Sequence, residues 1–234
     1  MNVECITLQA FQVNAYLLQD PASGVGVVVD TGFDDELAAI LGAQQPRLDI
    51  QAILLTHAHF DHAGGLAALQ QRFPQAVTYL PTLEKPLFDT LPWQGELVFG
   101  APQFNRPCGR IDREVQDGAE LEVGSGLRFR FLSTPGHTPG QGCYYTDTHI
   151  FVGDTLFAGS IGRTDFPMSD SQSMESSLRR LLQLPGHLIV CSGHGPETTL
   201  ERELQTNPFL DYIRRERGIA LNSRRPFGRQ PRWN

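Results

Sequence analysis

Three of the seven histidines in this 234-residue chain fall within six residues, as His57-x-His59-x-Asp61-His62. So tight a cluster in so histidine-poor a chain is improbable by chance. A purely structural role would have to explain three crowded imidazoles that do no chemistry. Imidazole and carboxylate are the donors that suit zinc, iron and manganese. On an extended segment His57, His59 and Asp61 project to one side. They converge on one point only if the chain then bends, and Gly64-Gly65 at the start of the next helix permits that. The apolar run Gln51 to Leu55 precedes the cluster and reads as a buried strand. Leu66, Leu69 and Phe73 follow it at helical spacing. The polar segment therefore links a strand to a helix.

Three more candidate ligands share one context. His137, Asp154 and His194 each follow a glycine, and each lies at or just past a predicted strand end. Functional groups in α/β architectures collect at the carboxyl ends of strands. Four such ends meeting at one edge would gather all seven groups. Other strands are expected over the first thirty residues, closing with Val25 to Val29 and a turn at Asp30-Thr31-Gly32. Leu127 to Leu132 and Leu188 to Cys191 also read as strands, and Gly142 to Tyr145 with His149 to Val152 as a hairpin. Helices are expected after Asp34 or Asp35, with Leu37, Ile40 and Leu41 on one face, and over Met174, Leu178, Leu181 and Leu182. Residues 81–107 have weak periodicity and read as a short helix plus loops. Strand–helix order occurs in both halves, which implies packed sheets with helices on their outer faces. His149 and His187 read as ordinary hydrogen-bonded residues.

Composition narrows the class. Forty per cent hydrophobic and 19% charged residues are usual for a globular chain. The net charge of −7 argues against a broad nucleic-acid or anionic-membrane surface. No apolar run is long enough to span a bilayer, and the first residues carry no secretory pattern. Cys5, Cys108, Cys143 and Cys191 are scattered without a Cys-x-x-Cys pair. They read as buried free thiols in a reducing compartment, so the expected location is cytoplasmic. Residues 1–217 are expected to form one domain. Residues 218–234, with Arg224, Arg225, Arg229 and Arg232 beside Pro226 and Pro231, form a basic tail, either disordered or docked on a neighbour.

Asp30-Thr31-Gly32, Thr56-His57-Ala58-His59-Phe60-Asp61-His62, Thr134-Pro135-Gly136-His137-Thr138, Gly153-Asp154 and Gly193-His194-Gly195, taken in that order, resemble the landmarks of the metallo-β-lactamase superfamily. The resemblance spans roughly residues 3 to 210. It implies an αββα sandwich of two mixed β-sheets with helices on the outer faces. Gly159-Ser160-Ile161-Gly162-Arg163-Thr164-Asp165-Phe166-Pro167 is similar to the glyoxalase II-like hydrolases, and a related stretch occurs in persulfide dioxygenases. Carried over by position, the match implies a first metal on His57, His59 and His137. A second would sit on Asp61, His62 and His194, with Asp154 bridging. β-Lactamases of this superfamily usually carry a cysteine ligand near that bridge, so Asp154 points away from lactam hydrolysis.

The reading that follows is a thioesterase of glyoxalase II type with two divalent ions, zinc first, iron or manganese also compatible. Two ions about 3.5–4 Å apart share a water and make it a hydroxide at neutral pH. That hydroxide is expected to attack a thioester carbonyl, with Asp61 orienting it or taking its proton. Asp30 is expected to hold a ligand imidazole through its other nitrogen. Arg163 and Phe166 are candidate substrate contacts, although Arg163 equally fits a brace to Asp165. Phe33, Phe60 and Trp93 are candidates for the pocket wall or the core. Glyoxalase II proper has a sizeable C-terminal helical segment that helps hold glutathione, and only about forty residues follow His194 here. The expected partner is a small-molecule thioester, with no nucleic acid or membrane, in a monomer or homodimer. The alternatives are a persulfide dioxygenase with one iron, and a lactonase.

Overall fold

The computed structural model describes residues 1–44, 48–124 and 126–219. Its first half builds one six-stranded sheet in chain order. The strands are β1 (Asn2–Thr7), β2 (Asn14–Gln19), β3 (Val25–Val29), β4 (Asp49–Leu54), β5 (Val77–Pro81) and β6 (Arg113–Val115). The first two pairings are antiparallel, and from β3 onward they are parallel. Parallel neighbours need long crossovers. These carry α1 (Glu36–Ala43), α2 (Phe60–Ala63), α3 (Leu66–Arg72), α4 (Lys85–Phe88) and α5 (Leu91–Phe99).

The second half contributes β7 (Glu120–Val123), β8 (Leu127–Ser133), β9 (Gly142–Tyr145) and β10 (His149–Gly153). A small ribbon, β11 (Leu156–Phe157) with β12 (Ser160–Ile161), leads to α6 (Ser171–Leu181). Then come β13 (Ile189–Ser192), β14 (Thr198–Thr199), α7 (Leu200–Thr206) and α8 (Asp211–Glu216). The second sheet runs in the order β14-β13-β10-β9-β8-β7. Among the described residues its single parallel pair is β10 with β13.

Alternation along each strand explains the layers. In β3, Val27 and Val29 join Phe129, Phe131, Tyr144 and Phe151 of the second sheet in the core between the sheets. Val28 points the other way and packs with Leu37 and Leu41 of α1 and Leu66 and Leu69 of α3. In the second sheet Phe151 faces inward, while Ile150 and Val152 face Met174, Leu178 and Leu181 of α6. Strands covered on both faces read as continuous apolar runs, which is why β3 and β10 stand out in the sequence. The result is the expected αββα sandwich. Helix α6 starts where the Asp170 carboxylate accepts from the Ser173 amide at 2.6 Å, and it buries Met174, Leu178 and Leu181 at helical spacing.

Several expectations need correction. Ile40 lies off the buried face of α1 and is 37% exposed, while Leu37 and Leu41 are buried. Residues 81–107 hold two helices, α4 and α5, and two 3-10 turns, more helix than expected. Cys5 and Cys108 are exposed; only Cys143 and Cys191 are buried, and all four are free thiols. Among the described residues no helix is long and apolar enough to cross a membrane. The expected basic tail falls, from residue 220 onward, outside the described residues.

Candidate metal centre

Four strand ends deliver the candidate ligands to one edge of the sandwich. After β4, His57 and His59 lie on the connecting loop, and Asp61 and His62 sit in α2. His137 follows β8, Asp154 follows β10 and His194 follows β13. Three groups of donor atoms form, each within 4.8 Å: His57, His59 and His137; His57, His62 and Asp154; Asp61, His62 and His194. His137 Nε2 is 2.9 Å from His59 Nδ1. Asp154 stands between the groups, with Oδ2 3.5 Å from His137 Nε2 and Oδ1 3.4 Å from His62 Nε2. Asp61 Oδ2 lies 3.4 Å from His194 Nε2. Five of the chain's seven histidines are gathered here. His149 instead bonds to the neighbouring Thr148 hydroxyl, and His187 to the Asp147 carbonyl.

The outward nitrogens fix how four of these rings are protonated. His137 Nδ1 is 2.9 Å from the Arg163 carbonyl and His194 Nδ1 is 3.2 Å from the Gln12 carbonyl. A carbonyl only accepts, so both Nδ1 atoms carry the proton. Asp30 accepts from the Thr56 amide and hydroxyl, each at 2.8 Å, and from His62 Nδ1 at 2.9 Å. Because the Thr56 hydroxyl donates to Asp30, it accepts from His57 Nδ1 at 3.1 Å. All four rings therefore turn Nε2 inward, with the outer partner holding the ring, as in metal-binding histidines. Asp30 adopts φ 58° to reach these three donors.

Burial and charge divide the site. Burial holds His57 well below its ordinary pKa, takes His59 down to about 3, and lowers His137. These three imidazoles are neutral at pH 7. Burial opposes the charged forms of His62 and His194, but Asp154 and Asp61 outweigh it and raise both. Burial likewise opposes ionised Asp154 and Asp61. His194 and His62 overcome it, holding Asp154 well below the usual carboxylate range and Asp61 at about 2.

His57 Nε2, His62 Nε2 and Asp154 Oδ1 are buried without a hydrogen-bond partner. Each such atom costs about 1–3 kcal/mol unless something satisfies it. The attraction between His62 Nε2 and Asp154 Oδ1, 3.4 Å apart, offsets part of that cost, and His57 Nε2 has no such offset. The neutral imidazoles of His57, His59 and His137 beside the ionised Asp154 and Asp61 are donors for a divalent cation, and His62 and His194, held protonated by those carboxylates, would give up their inward protons to a second one, so the residues fit two metals. The close approach depends on Gly193: a Cβ there would run into Asp154 Oδ1 and stand 2.5 Å from His62 Cε1.

The sequence profile of the Metallo-beta-lactamase superfamily matches residues 8–194. The chain belongs to this superfamily. It is 37% identical over 214 residues to Hydroxyacylglutathione hydrolase GloC of Haemophilus influenzae, covering 90% of this chain and 99% of that protein. Among solved structures it resembles BLEG-1 B3 metallo-beta-lactamase, with a TM-score of 0.80 at 36% identity, covering 89% of this chain and 99% of that one. It also resembles TTHA1623 in a di-iron-bound form, with a TM-score of 0.76 at 37% identity, covering 88% and 100%. Superfamily membership, the hydroxyacylglutathione hydrolase relative and the His/Asp clusters support a metal-binding hydrolase.

The candidate substrate contacts divide. The Arg163 guanidinium is committed to Asp165 through two 2.9 Å bonds and lies over the Phe166 ring, so the brace is what the structure contains. What Arg163 offers the candidate metal site is its backbone carbonyl, 2.9 Å from His137 Nδ1. Phe166 is half-buried, with its ring 5.7 Å from His59 and 5.8 Å from His137. Phe33 and Phe60 are buried in an aromatic cluster with Phe11 and Phe104. Trp93 is 55% exposed on α5 and belongs to neither core nor cluster. The Gln12 and Arg163 carbonyls and Phe157, 6.2 Å from His194, escaped the sequence reading. A carbonyl has no side-chain signature to find.

Proposed function

We propose that this chain is a two-metal hydrolase that cleaves thioesters of the S-2-hydroxyacylglutathione type, zinc being the first metal to test. The observation that carries the reading is the pair of His/Asp groups meeting at Asp154, with inward nitrogen and oxygen atoms that lack partners. His57, His59 and His137 would hold one ion and Asp61, His62 and His194 the other, with Asp154 shared. When bound, such ions lower the pKa of a shared water toward neutrality and polarise an acyl carbonyl. The di-iron form of TTHA1623 supports a dinuclear site, and the name of the Haemophilus relative supports the thioester.

The chain's own residues have defined parts. Asp30, Thr56, Arg163 and Gln12 hold the rings so that Nε2 faces the reacting centre. Asp61, ionised at neutral pH and partly exposed, is placed to orient an attacking water at Oδ2 and to take its proton. Phe166 lies beside His59 and His137 at the rim, where it would exclude water from the acyl group. The similarity to BLEG-1 favours a second reading, lactam hydrolysis, which needs the same attack on a carbonyl.

The test is turnover of S-lactoylglutathione by zinc-loaded protein beside His59→Ala, with a chromogenic cephalosporin run in parallel. Thioester turnover abolished by the substitution supports the proposal. Cephalosporin turnover without thioester turnover moves the assignment to lactams. A single iron per chain, with oxygen consumed, replaces the hydrolase by a persulfide dioxygenase.

A further inference from the structure

One buried carboxylate near the site belongs to none of the strand-end motifs. Glu84 closes a 3-10 turn, Thr82–Glu84, just after β5, and is fully buried. Its Oε2 accepts from the Ala58 amide at 2.7 Å. Its Oε1 accepts from the Thr138 hydroxyl at 2.6 Å and the Gly140 amide at 2.7 Å. All three partners are neutral donors, and at such short distances they mark an ionised acceptor.

The partners are placed with a purpose. Ala58 lies between His57 and His59, and Thr138 directly follows His137. These three histidines form one of the donor groups. His57 and His59 follow a strand of the first sheet, and His137 follows one of the second. Glu84 is thus a two-pronged tie between the loops that carry them. The tie extends further: the Gln141 amide donates to Thr138 Oγ1 at 3.1 Å, and Gln141 Oε1 accepts from the Asp154 amide at 3.2 Å. Neither Asp61 nor His194 is held by this network.

We propose that Glu84 is a positioning residue for the three-histidine metal site, fixing the gap between the His57–His59 loop and His137. This rests on the two-metal reading above. Glutamine cannot replace it. Two backbone N–H groups approach different oxygens, so whichever way the amide is turned, its NH2 faces one of them. That N–H loses its acceptor, and the loop carrying it is released. Burial itself raises the pKa of Glu84, and the three donors oppose that.

The test is competition for zinc between a chelator and the full-length protein. His137→Ala and His194→Ala identify which release step belongs to which site. In Glu84→Gln the step assigned by His137→Ala is expected to weaken about 10–100-fold, the range for residues that hold ligands, with the His194 step weakened much less, since the shared Asp154 is reached only indirectly through Gln141. Thr138→Val, which removes the donor to Glu84 together with the acceptor for the Gln141 amide and keeps the shape, weakens the same step less, and Thr138→Ser restores it. Should Glu84→Gln fail to fold, the Thr138 pair decides. Equal weakening of both steps, or of neither, overturns the positioning role while leaving the two-metal reading intact. A wild-type chain that binds no zinc, iron or manganese overturns both.

Discussion

Asp30→Asn separates the holding of a ligand from the folding of the protein. Asparagine accepts the left-handed backbone at Asp30 at little cost. It offers one oxygen where three donors converge: the Thr56 amide, the Thr56 hydroxyl and His62 Nδ1. With its oxygen kept on the Thr56 amide, its NH2 faces His62 Nδ1. The ring must then carry its proton on Nε2, where a metal needs a lone pair. The Thr56 bonds exist with and without metal, so their loss appears in stability and cancels from metal affinity. Affinity at the site containing His62 reads the His62 bond, while His57, held through the Thr56 hydroxyl, carries a smaller effect to the three-histidine site. A hydrogen bond to a charged group contributes about 1.5–3 kcal/mol. At about 1.4 kcal/mol per tenfold, metal binding at the site containing His62 should weaken about 10–150-fold. Chelator competition for zinc measures this, and melting of the metal-free protein reads the Thr56 part. Unchanged zinc affinity in a variant whose melting temperature has fallen would refute the orienting role of Asp30.

Other expectations follow from the same geometry. Gly193→Ala should lower metal content per chain, because the new methyl group displaces Asp154 and His62; overpacking of this kind costs about 1–3 kcal/mol, and full loading by elemental analysis would contradict it. Arg163→Ala should leave metal content unchanged and cost under about 1 kcal/mol in stability, since the lost pair is exposed and His137 is held by the backbone carbonyl; loss of metal would show that the guanidinium matters. In the native protein, alkylation mapped by mass spectrometry should reach Cys5 and Cys108 and spare Cys191 and Cys143, the latter pushed up to about 11 by burial. Burial raises the pKa of Cys5 and Cys108 as well, so less thiolate is present at a given pH and both should react more slowly at pH 8 than a free thiol. Modification of Cys143 at pH 7 without denaturant would contradict its place in the core.

What could be read from the chain alone follows from how each part is held together. Strands such as β3 and β10 are buried on both faces, so burial writes them as unbroken apolar runs. The seven candidate ligands were legible because histidine is rare here, three of the seven histidines fall within six residues, and His137, Asp154 and His194 each follow a glycine at a strand end. Residues 81–107 were not, because α5 leaves Trp93, Leu97 and Phe99 exposed, and its apolar residues mark no buried stripe. Glu84 was invisible for another reason. Its partners lie 26, 54 and 56 positions away, and two of them are backbone amides. No local spacing announces such a contact. Arg163 attracted a functional reading through its side chain, while the atom that touches the site is one every residue possesses.

The candidate ligands divide between the halves of the sandwich: His57, His59, Asp61 and His62 follow the first sheet, and His137, Asp154 and His194 the second. A permanent stitch crosses the same rim, where Asn14 and Tyr16 of β2 donate to the Ser192 carbonyl at the end of β13. Ions held between the two sets would rivet the sheets at one end, much as a cross-link closes a long loop. Ligands that bind only the folded state draw the equilibrium toward it. Loading and durability would then be one property: a chain stripped of its ions would part first along this rim, and its survival against a protease would report how full the site is.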